Sequence, residues 1–486
     1  MNPMLPYRLL AVGIILSTMT TAPAAESPRP AKPNIIIITI DDLGYADIGP
    51  FGSNKNRTPA LDRMAKEGCK LTSFYAAPVC SPSRAMLLTG CYPKRALPIP
   101  HVLFPADNVG LSPNEVTIAE ILKPLGYATG IIGKWHLGDQ PEWLPTRQGF
   151  DEYYGLPYSN DMGPAEDGVK SDLGKPLPKT TAGRGQPPLP LLRGMQVLKR
   201  VLPDDQQALV ERYTSEAIAF INRHKHQPFF LYLPHNAFHF PIYPGKAWAG
   251  KSPHGYYSDW VEEVDNSVGT ILNALRTNGL SEKTLVIFSS DNGGTMRGSN
   301  APLRGYKGST LEGGIRVPTI AWWPGQIPAG SQTDAITGMF DLLPTVAALC
   351  SAKLPTDRKL DGVNIWPQLV GDSTAQPAHE HFYYFRGLQL EAVRQGDWKL
   401  QIVVGKETLK KPKLFNLKND IGESMDVAGN YPEIVVKLQT LAETINADLG
   451  TTGIGPGCRA LGRVAKARPI LDFDGSVAPG FTHAQP

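Results

Sequence analysis

Two pairs of oxygen-bearing residues in the 486-residue chain stand just past the end of an apolar run: Asp41-Asp42 and Asp291-Asn292. Taken alone, each pair reads as solvated acids at a strand end. Adjacent carboxylates at the end of a buried strand repel unless a cation lies between them, so two such pairs at one edge point to a shared metal. The all-oxygen donor set suits a hard ion such as Ca²⁺ or Mg²⁺, whereas zinc prefers nitrogen and sulfur. A third cluster, Cys80-Ser-Pro-Ser-Arg84, places Pro82 just inside a helix start and makes Cys80 the first residue of that turn. A helix N-terminus favours an anion and activates a nucleophile, and Arg84 adds a fixed cation one turn on. The spacing describes an activated thiol; the plainer reading is a buried thiol or half of a disulfide. Lys134-Trp135-His136 and the pair His235 and His239 follow two further apolar runs, and both histidines also read as strand-end caps.

The elements that must position these residues are legible nearby. Ile35–Ile40, Ala128–Gly133, Phe229–Leu233 and Leu285–Phe288 are short, continuous apolar runs, the pattern of strands buried on both faces of a parallel sheet. Thr58-Pro59 reads as a helix start with Gly68 as its stop. Ser112-Pro-Asn-Glu115 reads as a capping box opening a helix that runs to Leu125, with Gly126 beyond it. Alternating strands and helices predict a doubly wound α/β fold, a large and mostly parallel sheet sandwiched by helices. Ligands of such sheets bind beyond the carboxyl ends of the strands, which is where all four polar clusters fall.

A catalytic domain is expected over 33–374, including a Gly-, Pro- and Lys-rich loop at 163–190. A smaller α+β domain and tail are expected over 375–486. There Phe385–Leu390, Glu391–Val393 and Trp398–Val404 read as antiparallel strands. Ile434, Val435, Leu438, Leu441, Ala442 and Ile445 mark an amphipathic helix.

Composition narrows the function classes. With 42% hydrophobic residues and a net charge of +3, the chain is neither disordered nor a nucleic-acid binder by bulk charge. Arg8, the apolar Leu9–Ile15 and Ala22-Pro-Ala24 describe a signal peptide over 1–25, too short to span a bilayer. An exported protein, periplasmic or secreted, with no stable membrane anchor is therefore expected. Five cysteines make an odd count, so at least one stays unpaired or is modified. Pairing among Cys69, Cys91, Cys350 and Cys458 is left open.

Cys80-Ser-Pro-Ser-Arg84, continued by Leu88-Thr-Gly90, resembles the first signature of the type I sulfatases of the alkaline-phosphatase superfamily. Gly126-Tyr-Ala-Thr-Gly-Ile-Ile-Gly-Lys134-Trp-His136 resembles the second. The resemblance runs from about Pro33 to about Leu449 and includes Gly149-Phe-Asp151, Asp341–Pro344 and Leu360-Asp-Gly362. It implies an arylsulfatase-type sulfuric ester hydrolase acting on aryl or carbohydrate sulfates, lysosomal in type if eukaryotic. It also implies that a formylglycine-generating enzyme converts Cys80 to Cα-formylglycine, hydrated to a geminal diol. One diol hydroxyl would attack sulfur and the other would expel sulfate.

Carried over motif by motif, Asp41, Asp42, Asp291, Asn292 and residue 80 would hold Ca²⁺, and Arg84 and Lys134 would stabilise the alkoxide. His136 would be the general base. His239 and Lys307, the latter in Gly305-Tyr-Lys-Gly308, would bind sulfate, with His239 also a candidate acid. Ser159 would hold a supporting position. Asp420-Ile-Gly-Glu423 departs from the family, in which proline often follows the aspartate. Two other readings compete: a phosphodiesterase or phosphonate monoester hydrolase of the same superfamily, and a catalytically silent protein that binds sulfated glycans. The silent protein would require a lost motif residue, and none is missing.

Overall fold

The computed structural model describes residue 1 and residues 30–177, 186–404 and 407–484. Residues 2–25 of the expected signal peptide and 178–185 of the expected long loop lie outside them. The four apolar runs are strands: β1 (Asn34–Ile40), β2 (Ala128–Ile132), β3 (Phe229–Pro234) and β4 (Thr284–Ser290). They lie side by side and parallel in the order β4-β1-β3-β2 at the centre of an eleven-stranded sheet. Their register sets Ile40 beside Ser290, Thr39 beside Pro234 and Ile131 beside Tyr232, so the strands end on one common edge. Antiparallel neighbours, Thr319–Trp322 on one side and Pro190–Arg193 further out on the other, make the sheet mixed at its flanks.

Side chains alternate across a strand, and β1 shows what that does here. Ile36, Ile38 and Ile40 pack with Met64 of α1 (Pro59–Glu67), Phe220 of α4 (Pro203–His224) and Trp260 of α5 (Tyr256–Thr277). Ile35 and Ile37 face the other way, toward α2 (Cys80–Thr89), α3 (Ile118–Leu122) and α7 (Leu342–Cys350). Each fully buried isoleucine contributes roughly 1.5–3 kcal/mol, so a register slip by one residue is strongly disfavoured.

Two helix starts differ from expectation. The capping box sits at Thr117 and Glu120, not Ser112 and Glu115, and α3 continues as a 3₁₀ turn, Lys123–Leu125, before Gly126 at φ +82°. Ser112 Oγ instead accepts from the Asn114 N–H, closing a local turn. At α1, Thr58 Oγ1 accepts from the Gly49 N–H rather than from its own helix, so a tertiary contact replaces the cap.

The small domain is an antiparallel sheet of β5 (His381–Arg386), β6 (Gln389–Gln395), β7 (Trp398–Val404) and β8 (Glu407–Asn416). Helix α8 (Pro432–Leu449) covers it through Leu438, Ala442, Ile445 and Leu449. After α8 the chain runs back to the large sheet, where Thr482–His483 adds beside Gln196–Val197. Among the described residues no helix is long and apolar enough to cross a membrane.

Candidate active site

Backbone hydrogen bonds continue past the strand ends and tie the four polar loops together. Asp291 N donates to Ile40 O (2.9 Å), His235 N to Thr39 O (2.8 Å), Asp41 N to Ala237 O (2.8 Å) and Lys134 N to Pro234 O (2.8 Å). The chain turns sharply at Asp42 (φ 62°) and His136 (φ 63°), left-handed conformations that non-glycine residues seldom adopt and that functional sites often hold. Asp47 braces these loops by accepting from Gly44 N (2.8 Å), Ser299 N (2.8 Å) and the Tyr257 hydroxyl (2.6 Å).

Helix α2 delivers Cys80 at its first residue and is buried along its whole length. Ser83 Oγ accepts from Ala77 N and donates to Ala77 O, which pins the approach to the helix. Cys80 Sγ lies 3.4 Å from Asp41 Oδ1. Around it stand three carboxylates, each paired with one cation. Lys134 Nζ donates to Asp41 Oδ2, Lys307 Nζ lies 2.7 Å from Asp42 Oδ1, and Arg84 reaches Asp291 Oδ2 through Nε (3.1 Å) and Nη2 (2.8 Å). Arg84 Nη1 also donates to the Lys134 carbonyl.

Two histidines and a serine complete the cluster. His136 Nε2 is 2.9 Å from Leu103 O, so that nitrogen carries the proton and donates it, leaving Nδ1 buried with no hydrogen-bond partner among the described residues. Ser159 is fully buried and bridges Lys134 Nζ (3.2 Å) and His239 Nδ1 (3.2 Å). His239 Nδ1 also lies 2.7 Å from Phe240 O, a carbonyl that only accepts, which places a proton on Nδ1. His235 does not share this network. It packs against the Tyr213 ring at 5.8 Å, and neither of its nitrogens has a hydrogen-bond partner among the described residues.

Burial and neighbouring charge set the protonation states. Burial raises Asp41, but the charges of Lys134, His239, Lys307 and Arg84 outweigh it and hold the carboxyl well below its usual range. Burial and then the Asp41 charge push Asp291 up. Burial, with Lys134 and Arg84 beside it, keeps His136 neutral well below its ordinary range. The Cys80 thiol is pushed up to about 12 by burial and by Asp41. The activated thiol expected from the spacing is therefore not formed. A helix N-terminus contributes about 0.3–1 kcal/mol, less than burial beside a carboxylate costs a thiolate. All five cysteines carry free thiols, which also removes the half-disulfide reading of Cys80.

The donor set fits a hard cation. One ligand atom each from Asp41, Asp42, Cys80 and Asp291 lies within 4.8 Å of the others, all four buried. Asn292 Nδ2 donates to Asp42 Oδ1 (2.8 Å), while its Oδ1 is buried with no hydrogen-bond partner among the described residues. An orphaned carbonyl oxygen beside three carboxylates is a donor set that Ca²⁺ satisfies.

The family model described as Sulfatase matches residues 33–352. The chain belongs to the sulfatase family. Arylsulfatase A of Bos taurus is 38% identical over 453 residues, covering 86% of this sulfatase and 88% of the relative. N-acetylgalactosamine-6-sulfatase of Canis lupus familiaris is 34% identical over 515 residues, with 92% and 95% covered. The crystal structure of Ps i-CgsB in complex with k-i-k-neocarrahexaose aligns with a TM-score of 0.72 at 33% identity, over 85% of this chain and 92% of that one. The protein is thus a sulfuric ester hydrolase with an alkaline-phosphatase-like α/β sheet and a small C-terminal antiparallel domain.

Sequence reading of this sulfatase missed the partners that aim the site. Asp161 lies 3.8 Å from His239 Nδ1, and Asn300 Oδ1 accepts from Gly294 N (3.0 Å) and Tyr45 N (3.2 Å) to brace the two acidic loops. Neither residue carries a motif. Asp47 was findable in principle, as an acid close behind the Asp41-Asp42 turn.

Proposed function

We propose that this sulfatase hydrolyses sulfate monoesters of carbohydrates or aryl alcohols through a formylglycine made from Cys80 and one bound Ca²⁺. The reading rests on the convergence of Cys80 with three buried carboxylates, ringed by Arg84, Lys134, Lys307 and His239. Asp41, Asp42, Asp291, Asn292 and residue 80 would hold the ion, which would supply Lewis acidity, and the hydrated aldehyde would supply an oxygen nucleophile where a neutral thiol supplies none.

The chain's own side chains do the rest. Arg84, fixed by Asp291 and the Lys134 carbonyl, and Lys134 itself hold positive charge beside residue 80, where negative charge develops. His136, with its proton committed to Leu103 O, accepts a proton at Nδ1. His239 Nε2 and Lys307 Nζ face the ester, and the imidazolium form of His239, with Nδ1–H held by Phe240 O, gives its Nε2 proton to the leaving alcohol. Ser159 orients both Lys134 and His239. Maturation by a formylglycine-generating enzyme during export precedes activity.

Carbohydrate sulfates are the favoured class, because relatives are named for a sulfated sugar and one is captured with an oligosaccharide. Paired assays of the purified, matured protein on an aryl sulfate and an aryl phosphodiester test the reaction type. A higher kcat/KM on the sulfate is expected; preference for the phosphorus ester would overturn the reading.

A further inference from the structure

The segment that carries Lys307 is gripped largely by the small domain. Arg304 Nη1 donates to Glu423 O (2.8 Å), Thr310 Oγ1 to Glu391 Oε2 (2.6 Å) and the Glu312 N–H to Glu423 Oε2 (2.7 Å). Glu312 opens the short helix α6 (Glu312–Ile315) that ends this segment. At the centre stands Lys399 of β7, with a fully buried side chain. Its ammonium donates to Thr310 O (2.8 Å) and Glu312 Oε1 (3.0 Å) and forms an ion pair with Glu423 Oε1 at 2.7 Å.

Glu312 joins this hub to the nucleophile's side of the site. Its Oε1 also accepts from the Tyr384 hydroxyl (2.7 Å) and its Oε2 from the Tyr75 hydroxyl (2.6 Å). Tyr75 begins the segment leading to Cys80, and within that segment Pro78 O accepts from Gly308 N (2.8 Å). One buried group of charges therefore fixes both the loop that presents Lys307 and the approach to residue 80.

Buried ion pairs contribute little net stability against apolar replacements, because desolvation offsets their attraction. What they do is admit one arrangement, since any shift leaves a buried charge unpaired. The family departure at Asp420-Ile-Gly-Glu423 ends in the residue that closes this hub, with Glu423 at φ 52° and buried.

We propose that the Lys399–Glu312–Glu423 hub, in which Lys399 and Glu423 of the small domain hold Glu312 of α6, is the positioning device for Lys307, setting where its ammonium meets the sulfate ester. The inference rests on the reading of Lys307 as an ester-facing residue. Steady-state kinetics on an aryl sulfate test it, using the full matured chain as wild type, Lys307→Ala, Lys399→Met, Glu423→Gln and each hub variant combined with Lys307→Ala. Losing a charge-assisted contact predicts about a 10- to 100-fold higher KM for Lys307→Ala. The hub variants raise KM by a smaller factor with kcat changed less. Combined with Lys307→Ala they raise KM no further, because no ammonium remains to be positioned, while any kcat loss through the approach to residue 80 persists.

Multiplicative rises in KM in the double variants, or a lowered Tm with unchanged KM in the single ones, would overturn the inference. Glu423→Gln keeps the size of the side chain and the Lys399–Glu312 pair, so it carries the test if Lys399→Met fails to fold. An unchanged KM in Lys307→Ala would instead overturn the reading of the site, and the inference with it. The two failures are thus told apart by which single variant is silent.

Discussion

Replacing Asp291 by asparagine removes one charge and almost no volume, so its effect isolates electrostatics. The site balances three carboxylates, Asp41, Asp42 and Asp291, against Arg84, Lys134 and Lys307. In Asp291→Asn two carboxylates face three cations, and an entering dication meets one net positive charge instead of none. A unit pair at about 4 Å and an effective dielectric of about 20 is worth about 4 kcal/mol. If only a third of that survives relaxation, each of the ion's two charges loses about tenfold in affinity.

Ca²⁺ binding is therefore expected to weaken by roughly 100-fold or more, with turnover falling in step. A second cost falls on Arg84, whose side chain is fully buried and whose next carboxylate, Asp41, is 3.9 Å away. Breaking a buried pair costs about 3–5 kcal/mol, with the lower end applying here because the amide oxygen still accepts. Calcium titration by calorimetry, with activity on an aryl sulfate and near-ultraviolet dichroism as a check on the fold, reads both effects. Folded Asp291→Asn that binds Ca²⁺ with wild-type affinity would refute the charge argument, as would wild-type turnover without bound calcium.

Three further outcomes are expected. Ser159→Ala removes the hydroxyl that bridges Lys134 and His239 and should lower kcat/KM about tenfold; an unchanged value would make the bridge incidental. His136→Ala should lower kcat about 10²- to 10⁴-fold at saturating aryl sulfate, and a loss smaller than about tenfold would remove it from proton transfer. His235 is depressed from its ordinary 6.5 to about 3 by burial, so between those values only the unfolded chain takes up the proton and stability falls as pH drops. His235→Phe should flatten the fall in stability between pH 6.5 and 4, read from Tm, by as much as about 1.4 kcal/mol per pH unit; an identical decline in both proteins would refute the assignment.

The geometry at the sheet edge was readable because buried parallel strands need continuous apolar runs. The places where the runs ending at Ile40, Gly133, Leu233 and Phe288 give way to polar residues mark that edge. What escaped reading depends on contacts distant in sequence. Ser112-Pro-Asn-Glu115 has the composition of a capping box, yet the cap forms at Thr117, whose hydroxyl also donates to Gln148 O far along the chain. Local pattern placed Cys80 at a helix start but not under Asp41, and that neighbour, with burial, reverses the direction of the thiol's shift. Glu423 read as a minor family departure in the small domain. Only the fold brings it to Lys399 and to the loop of Lys307.

The account stands or falls on what residue 80 is in the working enzyme. Mass spectrometry of the proteolytic peptide spanning Cys80, taken from matured protein of known specific activity, reads it directly. The account predicts the mass of the aldehyde or its hydrate, in a proportion that tracks activity from preparation to preparation. Fully active protein whose peptide carries only the unmodified thiol would contradict it.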